Sequence, residues 1–189
     1  MKNIGVYLGS FNPVHIGHLV IANWLCEYET IDELWFVVTP LNPFKSEQKL
    51  LDDEVRLEWV RKAVGDYPKI RVSDIEMHLP KPNYTIDTMH ALQQKYPDFR
   101  FTLIMGADNW QGIPKWYRSE ELLKEFPILV YPRKDYDVVI SSDYPNVRLV
   151  NAPEIEFSST FIRESIRAGK DVRFFLPEAI REEVKKVVK

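Results

Sequence analysis

Cysteine is nearly missing from this chain: Cys26 stands alone among 189 residues. It cannot form an internal disulfide, and this usage suits a reducing cytosol. A catalytic thiol needs an activating neighbour, and the sequence around Cys26 offers none, so a core position inside the first helix is expected. Long apolar runs are lacking too, so no segment is expected to cross a bilayer. No signal-peptide pattern precedes the strand-like NIGVYLG that follows Met1 and Lys2. A cytoplasmic protein with no membrane partner is the expectation. Positive charge is not in excess, since the formal net charge is −3, and nucleic acid is not a favoured partner. A polyanionic small substrate would have to be met by a local cluster of positive groups and backbone N–H donors. Repeats and low-complexity tracts are absent. What remains is ordinary for a soluble globular protein, with 45% hydrophobic and 28% charged residues. The length suits one domain, 1–189, with a buried core. Oligomeric state is left open, and a homo-oligomer is compatible with everything in the chain.

Short apolar runs alternate with amphipathic stretches. Strands are expected at Asn3–Leu8, Glu33–Thr39, Lys69–Asp74, Arg100–Gly106, Pro127–Tyr131 and Val147–Asn151. Helices are expected at His15–Tyr28, Asp52–Val64, Thr85–Tyr96, Trp116–Glu125, Ser159–Ala168 and Pro177–Val188. In the second helix Val55, Trp59 and Val60 share one face, with Glu and Arg opposite. Runs such as LWFVV and FTLIM are apolar at successive positions, as in strands buried on both faces. The alternation implies an α/β fold: a doubly wound, mostly parallel Rossmann-like sheet with helices on both faces. Lys81–Asn83 and Asp135–Asn146 read as surface loops. Ligands in such folds lie beyond the C-terminal ends of the strands, near a switch in strand order.

The segment GSFNPVHIGH, Gly9–His18, joins the first strand to the first helix. A helix N-terminus there presents unpaired N–H groups and about half a positive charge, which suits phosphate. Gly9 permits a tight turn, Ser10 and Phe11 follow it, and Pro13 stiffens the loop. His15 and His18 stand three residues apart, on one face near the helix start. They can donate to phosphate oxygens, form part of a metal site, or serve structure alone. Neither His78 nor His90 completes a metal-ligand pattern, so no protein metal site is expected.

FSSTFIR, Phe157–Arg163, opens a later helix. Ser158 or Ser159 can cap it, and Thr160 and Arg163 add a hydroxyl and a guanidinium, which makes a second anion site or a plain capped helix. Lys45, after the second strand, can reach a phosphate or be a solvated lysine. Asp108, beside Gly106 at the end of the fourth strand, can accept ribose hydroxyls or cap a helix. Trp116 can stack on a planar ring or sit in the core.

GSFNPVHIGH resembles the signature of the HxGH nucleotidylyltransferases, in which (T/S)F(D/N)P precedes HxGH. FSSTFIR resembles that family's ISSTxIR segment, with Phe157 in place of the usual Ile. Leu8 is a departure, since many members have a second glycine there. YTIDTM and GADNW…PKWYR are similar to the nicotinate-mononucleotide adenylyltransferase branch, and the likeness runs from Gly5 to about Pro177. The resemblance implies that ATP and nicotinate mononucleotide combine into nicotinate adenine dinucleotide and pyrophosphate, with Mg²⁺ accompanying ATP. It implies that Gly9, Ser10, Phe11, His15, His18, Gly106, Asp108, Ser158, Ser159, Thr160 and Arg163 hold ATP. Lys45, Tyr84, Thr85, Trp116 and Tyr117 would hold the nicotinate nucleotide, and His15, His18 and Lys45 would serve catalysis. The C-terminal helical part, from about residue 157 to residue 189, would complete the ATP site. Another HxGH adenylyltransferase, such as one acting on phosphopantetheine, and a non-catalytic nucleotide sensor are the alternatives.

Overall fold

The computed structural model describes residues 1–45 and 50–188. Six strands form one sheet: β1 (Lys2–Gly9), β2 (Glu33–Val38), β3 (Ile70–Ser73), β4 (Phe99–Gly106), β5 (Ile128–Tyr131) and β6 (Val147–Leu149). Their order is β3-β2-β1-β4-β5-β6, and every pairing is parallel. The strand order reverses between β1 and β4, so a crevice opens beyond Gly9 and Gly106. The expected doubly wound sheet is therefore present, and fully rather than mostly parallel among the described strands.

The α-helices are α1 (Ile16–Tyr28), α2 (Asp53–Val64), α3 (Thr85–Lys95), α4 (Ala107–Gly112), α5 (Ser119–Glu125), α6 (Ser159–Arg167) and α7 (Arg181–Val188). They divide by face because strand side chains alternate. In β2, Leu34, Phe36 and Val38 pack with α1, α2, α6 and α7, while Trp35 and Val37 pack with α3, α4 and α5. All six residues of β2 are buried: five form the apolar run LWFVV, and Glu33 is held by Lys2, Trp35 and Arg71. Asp52 caps α2 by accepting from the Glu54 and Val55 amides at 3.0 and 3.3 Å, and Gly65 ends it at φ 61°. Cys26 is buried as expected, and burial pushes its thiol up to about 11.

Four features depart from the sequence pattern. The helix expected over Trp116–Glu125 starts only at Ser119: Trp116 is extended, at φ −76° and ψ 146°, and Arg118 is left-handed at φ 52°. A short helix, α4, occupies the segment after β4; at six residues between Gly106 and Ile113 it is too short to show a period. The last helix begins as a 3₁₀ turn, Glu178–Ile180, before α7. Within α2, Arg56 does not stay on the solvated face. It is fully buried.

Candidate active site

The loop after β1 turns back toward the sheet. Phe11 takes a positive φ of 43° and buries its ring against Phe36 and Tyr7, with centroids at 5.1 and 5.7 Å. Gly9 is required by that packing, because a Cβ there would lie 2.8 Å from the Phe11 ring. His15, the expected first residue of the helix, is instead the N-cap of α1, which starts at Ile16, and His18 follows in the first turn. Their rings stack with centroids 3.6 Å apart and planes inclined by 22°. The His15 amide donates to His18 Nδ1 at 3.2 Å, so the His18 proton sits on Nε2. His15 is 2% exposed, and burial, then the Arg133 charge, lowers it to about 3. It acts as a neutral imidazole. Its Nδ1 is buried without a partner among the described residues.

The start of α6 is fastened onto this loop. Ser158 caps the helix by accepting from the Phe161 amide at 3.2 Å. Ser159 Oγ donates to the Pro13 carbonyl at 2.8 Å, and Arg163 donates to the Asn12 carbonyl at 2.6 Å and to Thr160 Oγ1 at 3.2 Å. From β4, Asp108 enters in the first turn of α4. A Cβ on Gly106 would lie 2.3 Å from Asp108 Oδ1, so a side chain there would push that carboxylate aside.

These residues enclose a cavity of about 250 Å³, beyond the ends of β1 and β4. Gly9, Ser10, Phe11, His15, His18, Gly106, Asp108, Ser158, Ser159, Thr160 and Arg163 all line it. Leu8 lines it as well, in the position where the resemblance led one to look for glycine. Its polar groups are mainly donors, which suits a polyanion.

The sequence reading missed Arg133. It follows β5, lines the same cavity and lies 3.7 Å from Asp108 Oδ1 through Nε. Both atoms are buried and otherwise unpartnered among the described residues. A place just past a strand end was the available signal. Tyr7 and Tyr131, 3.2 Å apart through their hydroxyls, form the cavity floor; burial raises both above the usual phenol range.

Tyr84, Thr85, Trp116 and Tyr117 are gathered in a second cavity with Asn42, Pro43, Phe44 and Asn83. Tyr84 and Tyr117 lean together with ring centroids 4.6 Å apart. Tyr84 is the N-cap of α3 and Thr85 its first residue, and no side chain caps this end. The backbone of Lys45 ends a 3₁₀ turn, Pro43–Lys45, while its side chain lies outside the described part of the structure. A larger cavity, of about 450 Å³, lies between α4, α5 and the segment after β5. Its walls carry no Lys, Arg or His among the described residues, so it does not suit phosphate. His78 and His90 are engaged elsewhere, by Asp74 and Glu125 at 3.9 and 2.7 Å.

The model of the cytidylyltransferase-like family matches residues 6–165. A Bacteroides fragilis protein named "Probable nicotinate-nucleotide adenylyltransferase" is 51% identical over 180 residues, 95% of this chain and 90% of its own. A Flavobacterium psychrophilum protein of the same name is 46% identical over 179 residues, 94% of this chain and 93% of its own. Two solved structures of Plasmodium falciparum nicotinic acid mononucleotide adenylyltransferase, complexed with NaAD and with APC, share the fold. They superpose with TM-scores of 0.85 and 0.82, at 21% identity, over 98% of this chain and 96% of theirs.

Proposed function

Since the chain belongs to the cytidylyltransferase-like family, we propose that it joins ATP and nicotinate mononucleotide into nicotinate adenine dinucleotide and pyrophosphate, a step of NAD biosynthesis. The observation that carries this reading is the presence of two unlike cavities beyond the C-terminal ends of the strands. One is lined by histidines, hydroxyls and arginines, the other by aromatic rings and an uncapped helix start. The names of the relatives at 46–51% identity agree with it.

The mononucleotide's phosphate oxygen attacks the α-phosphorus of ATP in line. A new P–O bond forms as the bond to the bridging oxygen of the β-phosphate breaks, and pyrophosphate leaves. No protein nucleophile is needed, so catalysis rests on positioning and on donors aimed at developing charge. Ser10, His15 and His18 hold the triphosphate, His15 as a neutral donor. Ser158, Thr160 and Arg163 hold the outer phosphates that depart. Asp108 and Arg133 meet the ribose: a hydroxyl both donates and accepts, and so answers a carboxylate oxygen and a guanidinium N–H standing 3.7 Å apart. ATP enters as its Mg²⁺ complex. The metal would be held mainly by phosphate oxygens and water.

The nicotinate ring lies between Tyr84, Trp116 and Tyr117, and its carboxylate meets backbone N–H groups at the start of α3, near Thr85. The second cavity is small, about 40 Å³, and Tyr117, 52% exposed, leans over it beside Tyr84. The sequence expectation for Lys45 is a phosphate contact near the point of transfer. No helix among the described residues is long and apolar enough to cross a membrane, and the lone cysteine fits the reducing cytosol as the setting.

The test is pyrophosphate release from Mg²⁺–ATP with nicotinate mononucleotide, nicotinamide mononucleotide and phosphopantetheine side by side. Nicotinate mononucleotide is expected to be the preferred substrate. Turnover with phosphopantetheine alone, or with none of the three, would overturn the reading.

A further inference from the structure

Arg56 departs most from its sequence pattern. It belongs to an amphipathic helix yet has no exposed surface, and neither substrate cavity touches it. A buried guanidinium is retained only where its five N–H donors find acceptors. Here each of them does. Nε donates to the Leu51 carbonyl at 2.9 Å. One terminal nitrogen donates to the carbonyls of Ser10, at 2.5 Å, and Thr39, at 2.9 Å. The other donates to the Pro40 carbonyl at 3.4 Å and to Asp53 Oδ1 at 2.5 Å.

The acceptors are not a random set. Ser10 lies in the loop of the ATP cavity. Thr39 and Pro40 leave β2 just before Asn42, Pro43 and Phe44, which wall the second cavity. Asp53 passes the connection on, since its other carboxylate oxygen accepts from Lys81 at 2.7 Å. Lys81 stands two residues before Asn83, which also walls the second cavity.

We propose that Arg56 is a positioning residue that fixes the ATP loop relative to both walls of the pyridine-nucleotide cavity, and so sets the approach of the attacking phosphate to the α-phosphorus. The proposal rests on the two-substrate reading above. It separates binding from reaction: each cavity keeps its own side chains when Arg56 changes, while the register between the cavities is lost. In-line transfer is sensitive to misplacement on the scale of 1 Å, which costs about 10² in rate. Lysine would keep the charge but offers three donors from one point instead of a planar fork of five.

The experiment compares wild type with Arg56→Lys and Asp53→Asn. Melting curves establish that each is folded at the assay temperature. Calorimetry gives Kd for ATP and for nicotinate mononucleotide separately, and product formation gives kcat at saturation of both. Arg56→Lys is expected to lower kcat by about 10–10², with each Kd within about threefold of wild type. Asp53→Asn, at a more accessible site, is expected to lower kcat by less, on the order of three- to tenfold, and it decides the question if Arg56→Lys does not fold. Folded variants with wild-type kcat would overturn the proposal. So would a rate loss accounted for by weaker binding of one substrate. If the wild-type protein itself forms no nicotinate adenine dinucleotide, the assigned reaction fails instead.

Discussion

Gly17→Ala sets two effects of known size against each other. Gly17 is the second residue of α1, between the stacked histidines. Replacing a helical glycine with alanine ordinarily stabilises a helix by about 1 kcal/mol. Here the new methyl would lie 2.6 Å from Ile155 Cγ2, 3.0 Å from His15 Nδ1 and 3.1 Å from His15 Cε1. Ordinary contact begins near 3.4 Å. The imidazole must therefore give by a few tenths of an ångström and the Ile155 methyl by most of one. Crowding of this kind costs about 1–3 kcal/mol, so the net expected loss of stability is on the order of 0–2 kcal/mol. A protein with ordinary reserve stays folded. The rate is expected to suffer more than the fold, because the displaced ring is one assigned to the triphosphate. A fall in kcat of about 10–10² is expected, with a smaller change in ATP affinity. Thermal melts and steady-state kinetics at saturating substrates check both numbers. A variant that melts above wild type would show that Ile155 yields without cost. A folded variant with wild-type kcat would show that the place of the His15 ring does not matter.

His18→Ala is expected to lower kcat by roughly 10²–10³ in a folded protein, the usual loss for one transition-state donor, and unchanged turnover would remove it from the mechanism. Arg163→Ala is expected to weaken ATP by about 1.5–3 kcal/mol and AMP by much less, because the guanidinium is assigned to phosphates that AMP lacks. Equal calorimetric losses for the two nucleotides would place it elsewhere. Glu76 is 2% exposed and hydrogen-bonded to Thr88, and burial raises its carboxyl from 4.5 to about 7. The folded chain thus keeps a proton that the unfolded chain has lost. This group's contribution to stability is greatest below pH 4.5 and declines through pH 7, by up to about 1.4 kcal/mol per unit. Glu76→Gln is therefore expected to gain on wild type by about 1–3 kcal/mol between pH 5 and pH 8 in urea melts. A difference that does not change with pH would refute the titration.

The sheet was legible because β2 and β4 are apolar at nearly every position, a pattern that only two-sided burial explains. The cavity beyond β1 and β4 was legible for a local reason. Its two main segments, Gly9–His18 and Ser158–Arg163, are each continuous in sequence and sit at helix starts. Arg133 and Arg56 were not legible, because their meaning is long-range. Nothing near Arg133 announces Asp108, and nothing near Arg56 announces Ser10. In α2 the period put Arg56 among solvated charges, and its burial comes from acceptors contributed by other segments. WYRSEELLKE reads as one helix, but the second cavity holds Trp116 and Tyr117 out of it, and the helix proper starts after the left-handed Arg118.

The fastening of α6 onto the first loop has a consequence for the order in which the enzyme becomes competent. Ser159 and Arg163 reach Pro13 and Asn12 across 146 and 151 positions, and the Ile16 amide donates to the Phe175 carbonyl. On a ribosome, the loop assigned to ATP emerges well before its brace, which arrives only after β6 has been made. A nascent chain can assemble most of its sheet while the phosphate site is still one-sided. The site becomes two-sided only when α6 docks, and the same docking closes the core on that face of the sheet.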